Sequence, residues 1–137
     1  MRRWLLALLV CATPARAEIH ETPAPAADAA PAPCRSGSRP YSRVELYLGG
    51  AHADAAWRDF LAKVVTPRFP DGLTVIEGAG QWRGPRGIER ERSRVIVILY
   101  QPDATSDRRV EAIREAYKAR FKQHSVLRVD STACVSF

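Results

Sequence analysis

Residues that advertise chemistry are scarce in this sequence. Its 137 residues include only three cysteines and three histidines. No C-x-x-C, H-E-x-x-H or G-x-S-x-G spacing occurs. A metal site needs three or four converging ligands, and His52 and His124 without a fixed carboxylate fall short, so no metal and no cofactor is expected. A serine triad needs a base beside a positioned nucleophile, and no serine here has that setting. Catalytic residues are therefore left unassigned. Nor is there an apolar run of the roughly 20 residues that span a bilayer, so the mature chain is expected to carry no transmembrane segment.

What is present begins with a targeting pattern. "MRRWLLALLVCATPARAE" places Arg2 and Arg3 before an apolar stretch from Trp4 to about Ala12. Ala15-Arg16-Ala17 then supplies small residues at the −3 and −1 positions of a cleavage site. Residues 1–17 read as a secretory signal peptide, which sends the protein to the periplasm or outside the cell. A lipoprotein anchored through Cys11 is the competing reading, weakened because Val10 is branched where that processing prefers a small residue.

Removing the leader changes the charge argument. It holds three of the 21 basic residues and none of the 15 acids, so the net charge falls from +6 to +3. Nucleic-acid binders carry a strong basic excess or stripe; none is expected here. Cys34 and Cys134 are the cysteines that remain. An even count in an oxidising compartment reads as a disulfide.

Residues 18–40 are rich in Pro and Ala with almost no large apolar side chains. They cannot bury enough surface to offset ordering entropy, and read as a disordered linker. The domain is expected over 41–137. "SRVELYLGG" alternates as a half-buried strand. Trp57, Phe60, Leu61 and Val64 mark one face of a helix that Asp54 can cap. "LTVIEGAGQW" is a second strand in which Gly78 and Gly80 suggest a bulge or a close backbone approach. "RVIVILY" reads as a strand buried on both faces. Thr105 or Ser106 starts a second helix with Val110, Ile113, Tyr117 and Phe121 as its stripe, and "SVLRVD" is the last strand.

The order β-α-β-β-α-β predicts an α+β, ferredoxin-like fold: a four-stranded antiparallel sheet, strand order 4-1-3-2, with two helices on one face. Strands 1 and 4 are then antiparallel neighbours, which brings Cys34 and Cys134 to one end of the sheet.

"VTPRFPDGLTV", "GQWRG", "RERSRVIVIL" and "SVLRVDSTACVSF" closely resemble a bacterial family of small exported proteins, the domain-of-unknown-function family three-five-seven-four. The resemblance covers about residues 41–137. It implies an exported one-domain protein with this element order, and no catalytic residues are carried over from it.

Three features remain for a functional reading. The loop around Gln81, Trp82 and Arg83 belongs to a cluster of five arginines, Arg83 to Arg94, among which only Glu89 and Glu91 are acidic. Arg83 or Arg86 can grip a small anion by paired hydrogen bonds; the plainer reading is a solvated hairpin with weak cross-strand Arg/Glu pairs. Glu45 and Tyr47 share a face of strand 1 and can run proton transfer if burial raises the Glu45 pKa. The sheet face away from the helices is apolar enough to suggest a homodimer. The expectation from sequence is a non-catalytic binding or interaction module for an unknown small ligand or protein. The alternatives are a small pocket enzyme using Glu45 and Tyr47, or a lipoprotein accessory factor anchored through Cys11.

Overall fold

A computed structural model describes residues 33–50 and 52–137. The expected signal peptide, Cys11 and the linker up to residue 32 lie outside these. Strand β1 (Arg39–Gly49) begins within the stretch read as linker. It is followed by α1 (Asp54–Phe60), β2 (Thr74–Gly84), β3 (Gly87–Tyr100), α2 (Ser106–Phe121) and β4 (Leu127–Val135). The strands form one sheet in the order β2-β3-β1-β4, with every neighbouring pair antiparallel.

Alternation along β1 and β3 sends Val44, Leu46, Leu48, Ile96 and Ile98 to one face. There they meet Trp57 and Phe60 from α1 and Val110, Ile113 and Tyr117 from α2, forming a single core. Both helices therefore cover the same side of the sheet. Phe60 and Val65 are each fully buried, five residues apart, because α1 runs on into a π-helical stretch over Leu61–Val65. The Thr66 N–H donates to the Leu61 carbonyl at 2.9 Å. This wider turn rotates Val65 into the core where an unbroken α-helix would place Val64.

One local expectation is corrected, one holds for the backbone alone, and one resolves into its second alternative. Asp54 makes no capping hydrogen bond; its carboxylate is taken by arginines of β3. Thr105 is the N-cap of α2 without a side-chain cap, because its hydroxyl and its N–H both donate to Asp103, each at 2.7 Å. The β2–β3 register is continuous from Thr74↔Val97 to Gly84↔Gly87, so no bulge forms at Gly78 or Gly80. Instead Gly80 allows a close approach: an added Cβ would lie 3.3 Å from the Ser93 Cβ.

Cys34 and Cys134 form a disulfide. Pro40 pairs with Cys134 in the β1–β4 ladder, so the bridge staples the start of the first strand to the end of the last.

Candidate functional site

Pairing of β1 with β3 ends at Gly49↔Ser93, while β2 and β3 continue to a two-residue turn at Pro85-Arg86. Residues 79–92 are thus a two-stranded arm projecting past the sheet. Gly87 closes its turn with φ +123, a conformation that favours glycine. Successive side chains in a strand point to opposite faces, so the run Glu89-Arg90-Glu91-Arg92 is sorted by sign. Arg90 and Arg92 share the helix side with Arg83, while Glu89 and Glu91 share the open side with Trp82 and Gly80. The cluster that looks mixed in sequence is two surfaces.

On the helix side, Arg92 and Arg94 are tied down rather than free. Arg94 donates to Glu77 at 2.8 Å and to Asp54 at 2.7 Å, and its guanidinium lies 4.9 Å from the Trp57 ring centre. Its side chain is only 3% exposed. Arg92 repeats both contacts from the rim. The Arg94 hydrogen bond, with help from Arg92, holds the Glu77 carboxyl below its ordinary pKa. The expected cross-strand Arg/Glu pairs do form, but through Glu77 of β2 rather than through Glu89 or Glu91. These arginines pair with β2 and α1, and the arm's own glutamates lie on the other face. Among the described residues, Arg83, Arg86 and Arg90 make no ion pair.

On the open side, a groove of about 570 Å³ runs between the arm, the end of β1 and the segment joining α2 to β4. Gly49, Gly80 and Ser93 form its floor, and Trp82, Tyr47 and Leu127 give it apolar walls. Glu91, Gln123, His124 and Ser125 supply the polar groups. Glu91 lies directly over Gly49, where an added Cβ would collide with its carboxylate. Among the described residues, no side-chain hydrogen bond or ion pair holds that carboxylate. Behind the groove Tyr117 donates its hydroxyl to the Gly49 carbonyl at 2.9 Å, and burial pushes its pKa up to about 12. His52 stacks on Phe121 at 4.2 Å and packs in this second layer rather than lining the groove.

Of the residues singled out from sequence, Tyr47, Trp82 and His124 line the groove, while Gln81 borders it but shares the helix side with Arg90. Arg83 is exposed on the opposite face of the arm and does not line it, so an anion gripped there by Arg83 has no support in this geometry. Glu45 neighbours the groove through Tyr47, whose hydroxyl donates to its Oε2 at 2.7 Å. Arg43 donates to the other oxygen at 2.9 Å. These bonds, Tyr47's first, lower the Glu45 pKa and raise that of Tyr47. Burial does not raise Glu45, which is the reverse of what the proton-transfer reading requires. Glu91, Gly49 and Leu127 were missed. The alternation of Arg and Glu ahead of an apolar strand was the available signal for Glu91.

The sequence profile of a family described as "Protein of unknown function (DUF3574)" matches residues 43–137. No curated protein matches the chain. Among solved structures, a phage SAM lyase in its apo state is similar, with a TM-score of 0.55 and 14% identity over 75% of this chain and 93% of that one. A CPII from Thiomonas intermedia K12 bound to ADP and bicarbonate has a TM-score of 0.44 and 19% identity over 73% and 92% of the two chains. At 14% identity the likeness to the SAM lyase speaks to the fold alone.

Proposed function

The chain belongs to the DUF3574 family of proteins of unknown function, and from that premise we propose a non-catalytic, exported binding module on a ferredoxin-like scaffold. The groove between the arm and the α2–β4 segment is the observation that carries this reading. It is concave, walled by two aromatic rings and a leucine, and equipped with a few polar groups, which is the usual make-up of a small-ligand site. The Cys34–Cys134 disulfide supports export, since such bridges persist in oxidising compartments. A role for Glu45 and Tyr47 in proton transfer is less well supported, because both shifts move away from neutral pH, where a general acid or base works best.

The test is a metabolite capture read by native mass spectrometry on the mature protein and its Trp82→Ala variant. The wild type is expected to retain a small molecule that Trp82→Ala binds about five- to tenfold more weakly, the worth of one aromatic wall. Equal retention by both proteins removes the groove from consideration.

A second reading rests on the face that carries the groove. Tyr47, Ile76, Leu99, Leu127 and Val129 are exposed there, and together they support a homodimer through the open sheet. Tyr47 and Leu127 belong to both surfaces, so a second copy would close the groove into a pocket.

A further inference from the structure

The geometry points to an organic cation as the ligand of this groove: an ammonium or guanidinium group at Glu91, with an apolar body lying against Trp82. This rests on the groove being a binding site, and adds what that site selects. The sign of the selection follows from the sorting of the arm. Every arginine of the cluster is carried by strand alternation to the helix side or sits in the turn. No lysine or arginine lines the groove, whereas one carboxylate, that of Glu91, does.

That carboxylate is placed for a ligand rather than for the fold. Residues that stabilise this protein through charge are engaged: Glu77 by Arg94, Asp59 by Arg120, Glu111 by Arg128. Glu91 has no such partner among the described residues, although Arg90 and Arg92 flank it in sequence. Room for it comes from Gly49, which lacks the Cβ that would displace the carboxylate. Trp82 and Glu91 are diagonal neighbours on one face of the β2–β3 pair, about 7–8 Å apart at the backbone. A cation between them meets a carboxylate on one side and an aromatic face on the other, two attractions that add. Tyr47 and Leu127 leave an apolar lane for the remainder of the molecule. A bare metal ion would find one carboxylate, too few ligands.

The experiment uses a shape-matched series, benzylamine, benzyltrimethylammonium, benzyl alcohol and benzoate, titrated into the mature protein and followed by amide NMR shifts. The two cations are expected to shift Gly49, Gly80 to Trp82, Ser93 and Gln123 to Ser125. They should bind at least about tenfold more tightly than the alcohol, with benzoate weaker still. Glu91→Gln, which breaks no ion pair, should keep its melting temperature and its affinity for benzyl alcohol while losing about tenfold for benzylamine. Alcohol or benzoate binding as tightly as the amine, or cation affinity unchanged in Glu91→Gln, overturns the cation assignment and leaves the groove standing. Shifts from none of the four probes at about 10 mM, weaker than any useful affinity, remove both.

Discussion

Arg94 lies midway along β3, where its apolar run begins, and a charge belongs there only if it is paired. Asp54 and Glu77 pair it, and Trp57 covers its face. Arg94→Ala is therefore expected to cost about 1–2 kcal/mol, chiefly by uncovering the Trp57 ring, since Asp54 and Glu77 are half exposed and stay solvated. Arg94→Met should cost less, because an apolar stem still packs on Trp57 and no unpaired charge is buried; urea denaturation measures both. At Asp103, hydrogen bonds from Thr105 lower the carboxyl pKa to about 2. A folded-state pKa depressed below the ordinary 3.8 means this stabilisation is complete above about pH 4. It is lost as pH falls through 2. Asp103→Asn should melt lower than wild type at pH 7, and the gap should close on acidification toward pH 2. A gap that persists at pH 2 would assign the effect to shape rather than charge.

At the scale of elements, the arm and the π turn decide where side chains go. The arm is a hairpin without a third strand, so its conformation rests on the Pro85-Arg86 turn and on the anchors at its base. Gly87→Ala forces a side chain into φ +123 and should cost on the order of 1–2 kcal/mol. Gly49→Ala has a different signature. The atoms in its way belong to the flexible end of Glu91, which can swing aside, so thermal stability should barely change while benzylamine affinity falls with the displaced carboxylate. Equal loss of stability in both variants would contradict this assignment. The apolar stripe of α1 was readable from Trp57 and Phe60. Its continuation to Val65 was not, because a π turn breaks the 3.6-residue period on which such a reading depends.

For the whole molecule, the Cys34–Cys134 bridge closes a separation of 100 residues. In the chain-entropy model this removes on the order of 4–5 kcal/mol of unfolded-state freedom, a large share of a small domain's stability of ~5–15 kcal/mol. The Cys34→Ser, Cys134→Ser pair should lower the melting temperature by well over 10 °C, with the reduced wild type matching it. The open sheet face is expected to hold two copies together. Light scattering at high micromolar concentration should report a dimer that Val129→Lys dissociates, and a wild-type monomer there rejects the interface.

The sequence by itself determined the element order, the antiparallel sheet with two helices, the core stripes of β1, β3 and α2, and the cysteine pairing. These follow from local periodicity and from a recurrent arrangement of this element order that buries both helix faces. Tyr47 and Trp82 were also legible, as aromatic residues toward strand ends. Only the tertiary structure decided the sign of the site. Five arginines and two glutamates in one stretch look cationic when summed along the chain, yet a strand divides neighbours between its two faces. That division, with the β2–β3 register and the acids of α1 and β2 that capture Arg92 and Arg94, leaves a carboxylate facing the groove.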